Sequence, residues 1–152
     1  MIPVAIALGS NLGDRERHLR DAIASLTPVV HSMRVSTFHG TAPVGVPGPQ
    51  PMYLNAALVG ETTLAAHELL ETLLDIEASL GRVRPFANAP RTLDLDLILY
   101  DAAIESSDRL TLPHPRFRER RFVLAPLAEI APDWRDPVTG KSVEELLRAL
   151  GE

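Results

Sequence analysis

The chain lacks cysteine, long apolar runs and any excess of basic residues. Without cysteine it forms no disulfide and offers no thiolate metal ligand, so a cytoplasmic setting is the default expectation. No apolar run reaches the roughly 18 residues that a membrane-spanning helix needs. The N-terminal apolar stretch, residues 3–8, is too short and lacks the basic flank of a signal peptide. We therefore expect neither export nor a membrane partner.

The charge balance also argues against a nucleic-acid partner. Twenty acidic residues outnumber fifteen basic ones, for a net charge of −5, whereas nucleic-acid binding depends on basic surfaces. The basic residues are nevertheless concentrated between positions 82 and 121, a pattern that favours a small anionic ligand. Eight of the fifteen lie there: Arg82, Arg84, Arg91, Arg109, Arg116, Arg118, Arg120 and Arg121.

The apolar pattern predicts an alternation of strands and helices. A length of 152 residues suits one domain with a substantial core, and we expect a single domain over 1–152 that is monomeric. The first helix has Asp14 as its expected N-cap, and residues 142–145 form a capping box before a last helix. Strands are predicted at 3–10, 33–40, 53–60 and 93–100, with helices after the first and after the third, the latter over 64–80.

This order predicts an α+β fold with a ferredoxin-like βαββαβ core, in which helices pack on one face of an antiparallel sheet. A short return strand is expected after residues 101–103. Two loops, 40–51 and 81–92, are long for their positions, and such loops in compact domains usually carry function or move.

Two acids stand out in the fourth predicted strand. Asp94 and Asp96 are two residues apart, so both side chains point to one face, about 7 Å apart along the strand. Such a pair is either the solvated face of a half-buried strand or an oxygen-ligand site for Mg²⁺. Arg91 comes just before them with a side chain suited to phosphate.

Other candidates are each open to two interpretations. Tyr53 and Asn55 share a strand face and could bind a flat heterocycle, or they could be ordinary core residues. His114, between two prolines, could donate to a phosphate or be a plain loop histidine. Glu77 could be a surface acid paired with nearby arginines. Residues 9–13 lack the Lys-Ser/Thr of a phosphate loop, so we interpret them as a structural turn.

Together these segments resemble the 6-hydroxymethyl-7,8-dihydropterin pyrophosphokinase family of folate biosynthesis. The matching segments follow the family's order between residue 5 and about residue 134. They are ALGSNLG at 7–13, YLNAA at 53–57, GRVR at 81–84, PRTLDLD at 90–96, PHP at 113–115 and RRF at 120–122.

The resemblance implies the ferredoxin-like core and an ATP-dependent reaction. The β,γ-pyrophosphoryl group of ATP would move to the hydroxymethyl oxygen of the pterin, leaving AMP. Asp94 and Asp96 would hold two Mg²⁺ ions, and with Arg82 and Arg91 they would form the catalytic set. The implied ATP-binding residues are Glu77, Arg82, Arg84, Arg91, Arg109, Thr111, His114 and Arg120. The implied pterin-binding residues are Thr41, Ala42, Val44, Tyr53, Asn55 and Phe122.

The chain departs from the family pattern at a few positions. Asn88 and Ala89 stand where many members have an aromatic residue and a glycine, and Leu74 stands at an often polar position. Two other hypotheses remain: a ferredoxin-like module that binds a ligand without chemistry, and a plain nucleotide hydrolase. A module that only binds has no need of a metal pair, which favours an enzyme.

Overall fold

The computed structural model describes residues 1–11, 14–41, 53–81 and 93–151. Strands and helices alternate through the first two thirds of the chain, and helical segments dominate the last third. The strands are β1 (Ile2–Ser10), β2 (His31–Val35), β3 (His39–Thr41), β4 (Tyr53–Thr62), β5 (Asp94–Tyr100), β6 (Glu105–Ser106) and β7 (Thr111–Leu112). The helices are α1 (Arg15–Leu26), α2 (Ala66–Gly81), α3 (Arg121–Ile130) and α4 (Val143–Ala149), and a 3₁₀ turn spans Phe117–Glu119.

The main sheet is antiparallel, with strand order β2-β4-β1-β5 among the described residues, and β3 also pairs with β4. The first strand thus lies between the third and fourth strands of the βαββαβ order, with α1 and α2 as the two connecting helices. This is the ferredoxin-like arrangement, and it confirms the predicted fold class.

Helices cover both faces of this sheet, whereas we expected them on one. Side chains of α1 and α2, such as Leu19 and Leu73, join Ile6 in a core on the first face. On the second face, α3 and α4 cover Ala5 with Leu124 and other apolar side chains. The reason lies in the central strands, whose near-continuous apolar runs give both faces surface to bury.

Several local expectations are confirmed. The Asp14 side chain accepts a hydrogen bond from the Arg17 backbone N–H at 3.1 Å and caps α1. Ser142 and Glu145 form the predicted capping box of α4. A short strand, β6, follows residues 101–103 as expected, but it pairs with β7 in a separate hairpin and does not return along β5.

The predicted strand 33–40 is wrong as one element, because it divides into β2 and β3. Buried Ser36 stands at the break, and its hydroxyl accepts a hydrogen bond from the Ala57 N–H at 2.9 Å. A side-chain oxygen thereby replaces a backbone carbonyl in the ladder, so regular pairing with β4 stops and resumes at His39.

Among the described residues, we find no helix with the length and apolar character that crossing a membrane requires.

Candidate active site

A cavity of about 700 Å³ lies on the second face of the sheet, beside the N-terminal end of α3. The strands contribute Gly9, His39, Tyr53, Asn55, Asp94 and Asp96 to its wall. The segment that begins α3 contributes Arg120, Arg121, Phe122 and Val123. The cavity thus brings together the acid pair, the aromatic pair and an arginine that were selected from the sequence.

Asp94 and Asp96 lie on the same face of β5, as the two-residue spacing predicted. Both line the cavity, while Leu95 between them is 4% exposed and packs in the core under α1 and α2. The two carboxyl groups are partly buried in a concave site. This arrangement favours a ligand site over a merely solvated strand face.

Glu77 supports the strand that carries these acids. Its Oε2 accepts a hydrogen bond from the Leu95 backbone N–H at 2.6 Å, reaching from α2 to β5. This contact anchors the strand between Asp94 and Asp96. The nucleotide contact that the family resemblance implies for Glu77 stays a prediction.

His114 lies near Asp96 and Arg120. Its backbone N–H donates to Ile98 O at 3.0 Å, and its Nδ1 accepts from the Arg116 N–H at 3.2 Å. Burial lowers the pKa of His114, Asp96 opposes this shift, and Arg120 and Arg116 reinforce it, so the pKa lies below the ordinary 6.5. The ring is therefore neutral at pH 7, and because Nδ1 accepts, the proton sits on Nε2. That N–H can donate to an anionic oxygen.

The start of α3 places an aromatic ring and two guanidinium groups at the cavity. Phe122 is 43% exposed, and the Arg120 guanidinium lies 5.5 Å from the centre of its ring. Arg121 donates to the Gly151 carbonyl, which ties its side chain to the C-terminal segment. An exposed ring on a cavity wall is available to stack on a planar ligand.

Asn55 stands in a row of three residues that cross the sheet and line the cavity. It is 5% exposed and pairs with Gly9 of β1 on one side and His39 of β3 on the other. A Cβ on Gly9 would lie 3.3 Å from Asn55 Oδ1. The structural-turn interpretation of 9–13 is thus wrong for Gly9 and Ser10, which both belong to β1, and Gly9 makes room for the amide. Leu12 and Gly13 lie outside the described residues.

Sequence reasoning missed Gly9 and His39 as site residues. His39 belongs to no motif selected from the sequence, and Gly9 was interpreted only as part of a turn. Each reaches the cavity through strand pairing with β4. A signal was available in the alternation of Tyr53 and Asn55. Any strand that pairs with the strand carrying them must present some of its own side chains on the same face of the sheet.

Four of the described residues predicted to bind the nucleotide do not line the cavity: Glu77, Arg109, Thr111 and His114. Arg109, on the β6–β7 connection, forms an ion pair with Glu71 of α2 at 3.5 Å. Thr111 is exposed in β7. Leu74, the departure from the family pattern on α2, is also exposed. Thr41 pairs with Tyr53 at the end of β3, next to the cavity wall. The ATP assignments of Arg109 and Thr111 stay predictions.

Other predicted site residues lie outside the described residues. They are Arg82, Arg84, Arg91, Ala42 and Val44, together with Asn88, Ala89 and most of loops 40–51 and 81–92.

The donor set at the acid pair fits Mg²⁺. Within the described ranges no third His, Asp or Glu joins Asp94 and Asp96 as a metal-binding group. Mg²⁺ is commonly held by one or two carboxylates, with substrate phosphates and water completing its shell. Two partly buried carboxylates facing one cavity meet that description.

Comparison with known proteins identifies the family. The model of the 7,8-dihydro-6-hydroxymethylpterin-pyrophosphokinase family matches residues 5–132. The 2-amino-4-hydroxy-6-hydroxymethyldihydropteridine pyrophosphokinase of Synechocystis sp. is 46% identical over 145 residues, which cover 93% of this chain and 73% of that protein. The enzyme of the same name from Methylorubrum extorquens is 45% identical over 147 residues, covering 95% and 91%.

A solved structure supports the fold. The wild-type HPPK-DHPS of Plasmodium falciparum superposes with a TM-score of 0.76 at 11% identity, covering 97% of this chain and 44% of that one. Because the family model spans most of the chain, and because relatives at about 45% identity match over most of their own length, the chain belongs to the 7,8-dihydro-6-hydroxymethylpterin-pyrophosphokinase family.

Proposed function

We propose that the chain carries out its family's reaction, transfer of pyrophosphate from ATP to hydroxymethyldihydropterin in folate synthesis, in the cavity beside α3. One observation carries this placement: Asp94 and Asp96 line the same cavity as Tyr53, Asn55 and Phe122. A site for metal-bound phosphates therefore adjoins a site for a planar heterocycle, as a reaction between ATP and a pterin requires.

The pterin subsite is the part of the cavity between β4 and the start of α3. The rings of Tyr53 and Phe122 would stack on the two faces of the pterin, with the stacking geometry that aromatic pairs favour. The buried amide of Asn55, with both a donor and an acceptor, would read the pterin edge. The backbone from Thr41 through Ala42 to Val44 would complete the edge contacts.

The phosphate subsite is built on β5. Asp94 and Asp96 would hold two Mg²⁺ ions together with the ATP phosphates. Bound Mg²⁺ supplies a template for the phosphates and a Lewis acid that neutralises their charge. Arg82 and Arg91 would stabilise charge on the transferred group, and His114 Nε2–H and Arg120 would donate to phosphate oxygens. The other proposed ATP contacts are Glu77, Arg84, Arg109 and Thr111.

The reaction depends mainly on the positioning of its two substrates. The hydroxymethyl oxygen attacks the β-phosphorus of ATP and gives up its proton to water, the bond from that phosphorus to the α–β bridging oxygen breaks, and AMP leaves with that oxygen. Such transfers depend on alignment and charge neutralisation more than on a covalent protein intermediate. Holding the pterin against Asn55 and the phosphates against β5 supplies that alignment.

We also infer that residues 1–152 act as one domain, as a monomer in the cytoplasm. The one-domain inference is supported by the main antiparallel sheet, whose central strands β1 and β4 contribute side chains to both cores.

The test is to incubate the protein with ATP and Mg²⁺, with and without 6-hydroxymethyl-7,8-dihydropterin, and to quantify AMP. The proposal predicts AMP release that requires the pterin, with equimolar pterin pyrophosphate. Equal AMP or ADP release without the pterin would identify a nucleotide hydrolase. Binding of both ligands without AMP would identify a binding module.

A further inference from the structure

Glu129 of α3 binds one end of the His39 ring, which lines the cavity. Its Oε1 lies 2.9 Å from His39 Nε2, and its carboxylate also accepts from the Thr37 N–H at 2.7 Å and the Thr37 hydroxyl at 2.8 Å. These hydrogen bonds, that from His39 first, hold the pKa of Glu129 below its ordinary value. The carboxylate is therefore ionised at neutral pH and can only accept hydrogen bonds.

The Glu129 carboxylate next to Nε2 determines the tautomer of the neutral His39 ring. Because Glu129 cannot donate, His39 Nε2 must carry a proton, so a neutral ring has its lone pair on Nδ1. Within the described part of the chain, Nδ1 has no hydrogen-bond partner. In its neutral form the ring thus offers one acceptor atom, Nδ1, beyond the contacts that hold it.

The position of His39 places that acceptor beside the pterin subsite. His39 is the direct cross-strand partner of Asn55, and both line the cavity. Side chains at directly opposed positions of antiparallel strands have Cβ atoms about 5 Å apart. A ligand edge that binds the Asn55 amide therefore also comes within reach of the imidazole.

We propose that His39 is a specificity-determining residue of the pterin subsite, oriented by Glu129 so that Nδ1 accepts a hydrogen bond from an N–H group of the bound pterin. This inference rests on the proposed placement of the pterin in the cavity. In this role His39 selects a heterocycle with a donor at that edge over one with an acceptor, and Glu129 is a positioning residue that acts through it.

Three substitutions separate the acceptor from the Glu129 contact. His39→Asn places an amide oxygen near the position of Nδ1 and gives up the contact with Glu129. His39→Gln keeps a donor near the position of Nε2 and gives up the acceptor at Nδ1. His39→Phe keeps a planar ring and has neither polar atom. His31→Asn, on β2 away from the cavity, is the matched control.

The measurement is the dissociation constant of 6-hydroxymethyl-7,8-dihydropterin with Mg²⁺ and a nonhydrolysable ATP analogue, supported by steady-state kinetics and thermal unfolding. We expect His31→Asn to stay within threefold of the unsubstituted protein, and His39→Asn, which keeps the acceptor but loses the Glu129 contact, to bind the pterin more tightly than His39→Gln. His39→Gln and His39→Phe should weaken pterin binding about tenfold, equivalent to about 1.4 kcal/mol, by raising KM with kcat nearly unchanged. Equal affinities for the three His39 variants, or near-normal affinity for His39→Gln alone, overturn the proposal.

Tyr53→Ala, measured in parallel, distinguishes the role of His39 from the placement of the pterin in the cavity. Weaker pterin binding by Tyr53→Ala with unaffected His39 variants overturns only the role of His39. If Tyr53→Ala leaves pterin affinity unchanged, the placement of the pterin fails and the role of His39 fails with it.

Discussion

Gly9 and Asn55 lie directly opposite each other in β1 and β4, and a Cβ on residue 9 would come within 3.3 Å of Asn55 Oδ1. That separation is shorter than ordinary van der Waals contact, so a side chain at position 9 would displace the amide. Asn55 is buried and faces the cavity. The absence of a side chain at Gly9 therefore helps to set the orientation of the group proposed to read the pterin edge.

Gly9→Ala should weaken pterin binding severalfold and leave ATP binding unchanged, because only the amide must move by a few tenths of an ångström. Calorimetric titration with each ligand checks this. In an Asn55→Ala background the same change should have no further effect, since contacting residues are non-additive. An equal loss of ATP affinity, or a loss that persists without Asn55, would show that the substitution acts elsewhere.

Tyr53→Ala should weaken pterin binding about tenfold, since it removes a stacking surface worth about 0.5–1.5 kcal/mol in addition to buried area. Tyr53→Phe is the matched control, because it retains the ring, and it should bind the pterin nearly as tightly as the unsubstituted protein. Fluorescence titration with the pterin measures both. If the two variants lose the same affinity, the contribution of Tyr53 comes from its hydroxyl and not from stacking.

The ion pair between Arg118 and buried Asp136 should contribute to the stability of the protein in acid. Asp136 is 0% exposed and accepts hydrogen bonds from Arg118 Nη2 at 2.9 Å, the Thr139 hydroxyl at 2.7 Å and the Val138 N–H at 3.0 Å. Burial raises the pKa of Asp136, but these hydrogen bonds outweigh burial and bring the pKa to about 2, from 3.8.

This depressed pKa implies about 2 kcal/mol of folding stability, fully present above pH 4 and lost as the pH falls toward 2. Asp136→Asn should therefore lower the free energy of unfolding by at least that amount at pH 7, with a smaller difference at pH 3. Urea unfolding at both pH values checks the prediction, with exposed Asp133→Asn as control. The same loss at both pH values would mean that ionisation of Asp136 contributes nothing.

Local patterns in the sequence were sufficient for most of the main elements and for the acid pair. The two-residue period of β5 correctly placed Asp94 and Asp96 on one face, and the Ser142–Glu145 spacing correctly predicted the start of α4. Each of these inferences depends on residues within a few positions of one another, where backbone periodicity alone determines which side chains meet.

Contacts between distant strands could not be read from such patterns. His39 enters the cavity wall because β3 pairs with β4 opposite Asn55, and Gly9 does so because β1 pairs with β4 on the other side. The break at Ser36 also depends on a hydroxyl that contacts Ala57, 21 residues away. The register between strands is set by the whole sheet and not by local spacing. The sequence pattern therefore predicted one continuous strand over 33–40, where the structure has β2 and β3.

The metal-binding role of β5 is the central claim, and turnover of Asp96→Ala tests it most directly. At saturating ATP and pterin and moderate Mg²⁺, we predict that AMP formation falls by about 10²–10³, the loss typical of one key electrostatic group. Asp133→Asn, which removes an exposed acid distant from β5 in sequence, should retain normal turnover. Near-normal AMP formation by Asp96→Ala would contradict the account.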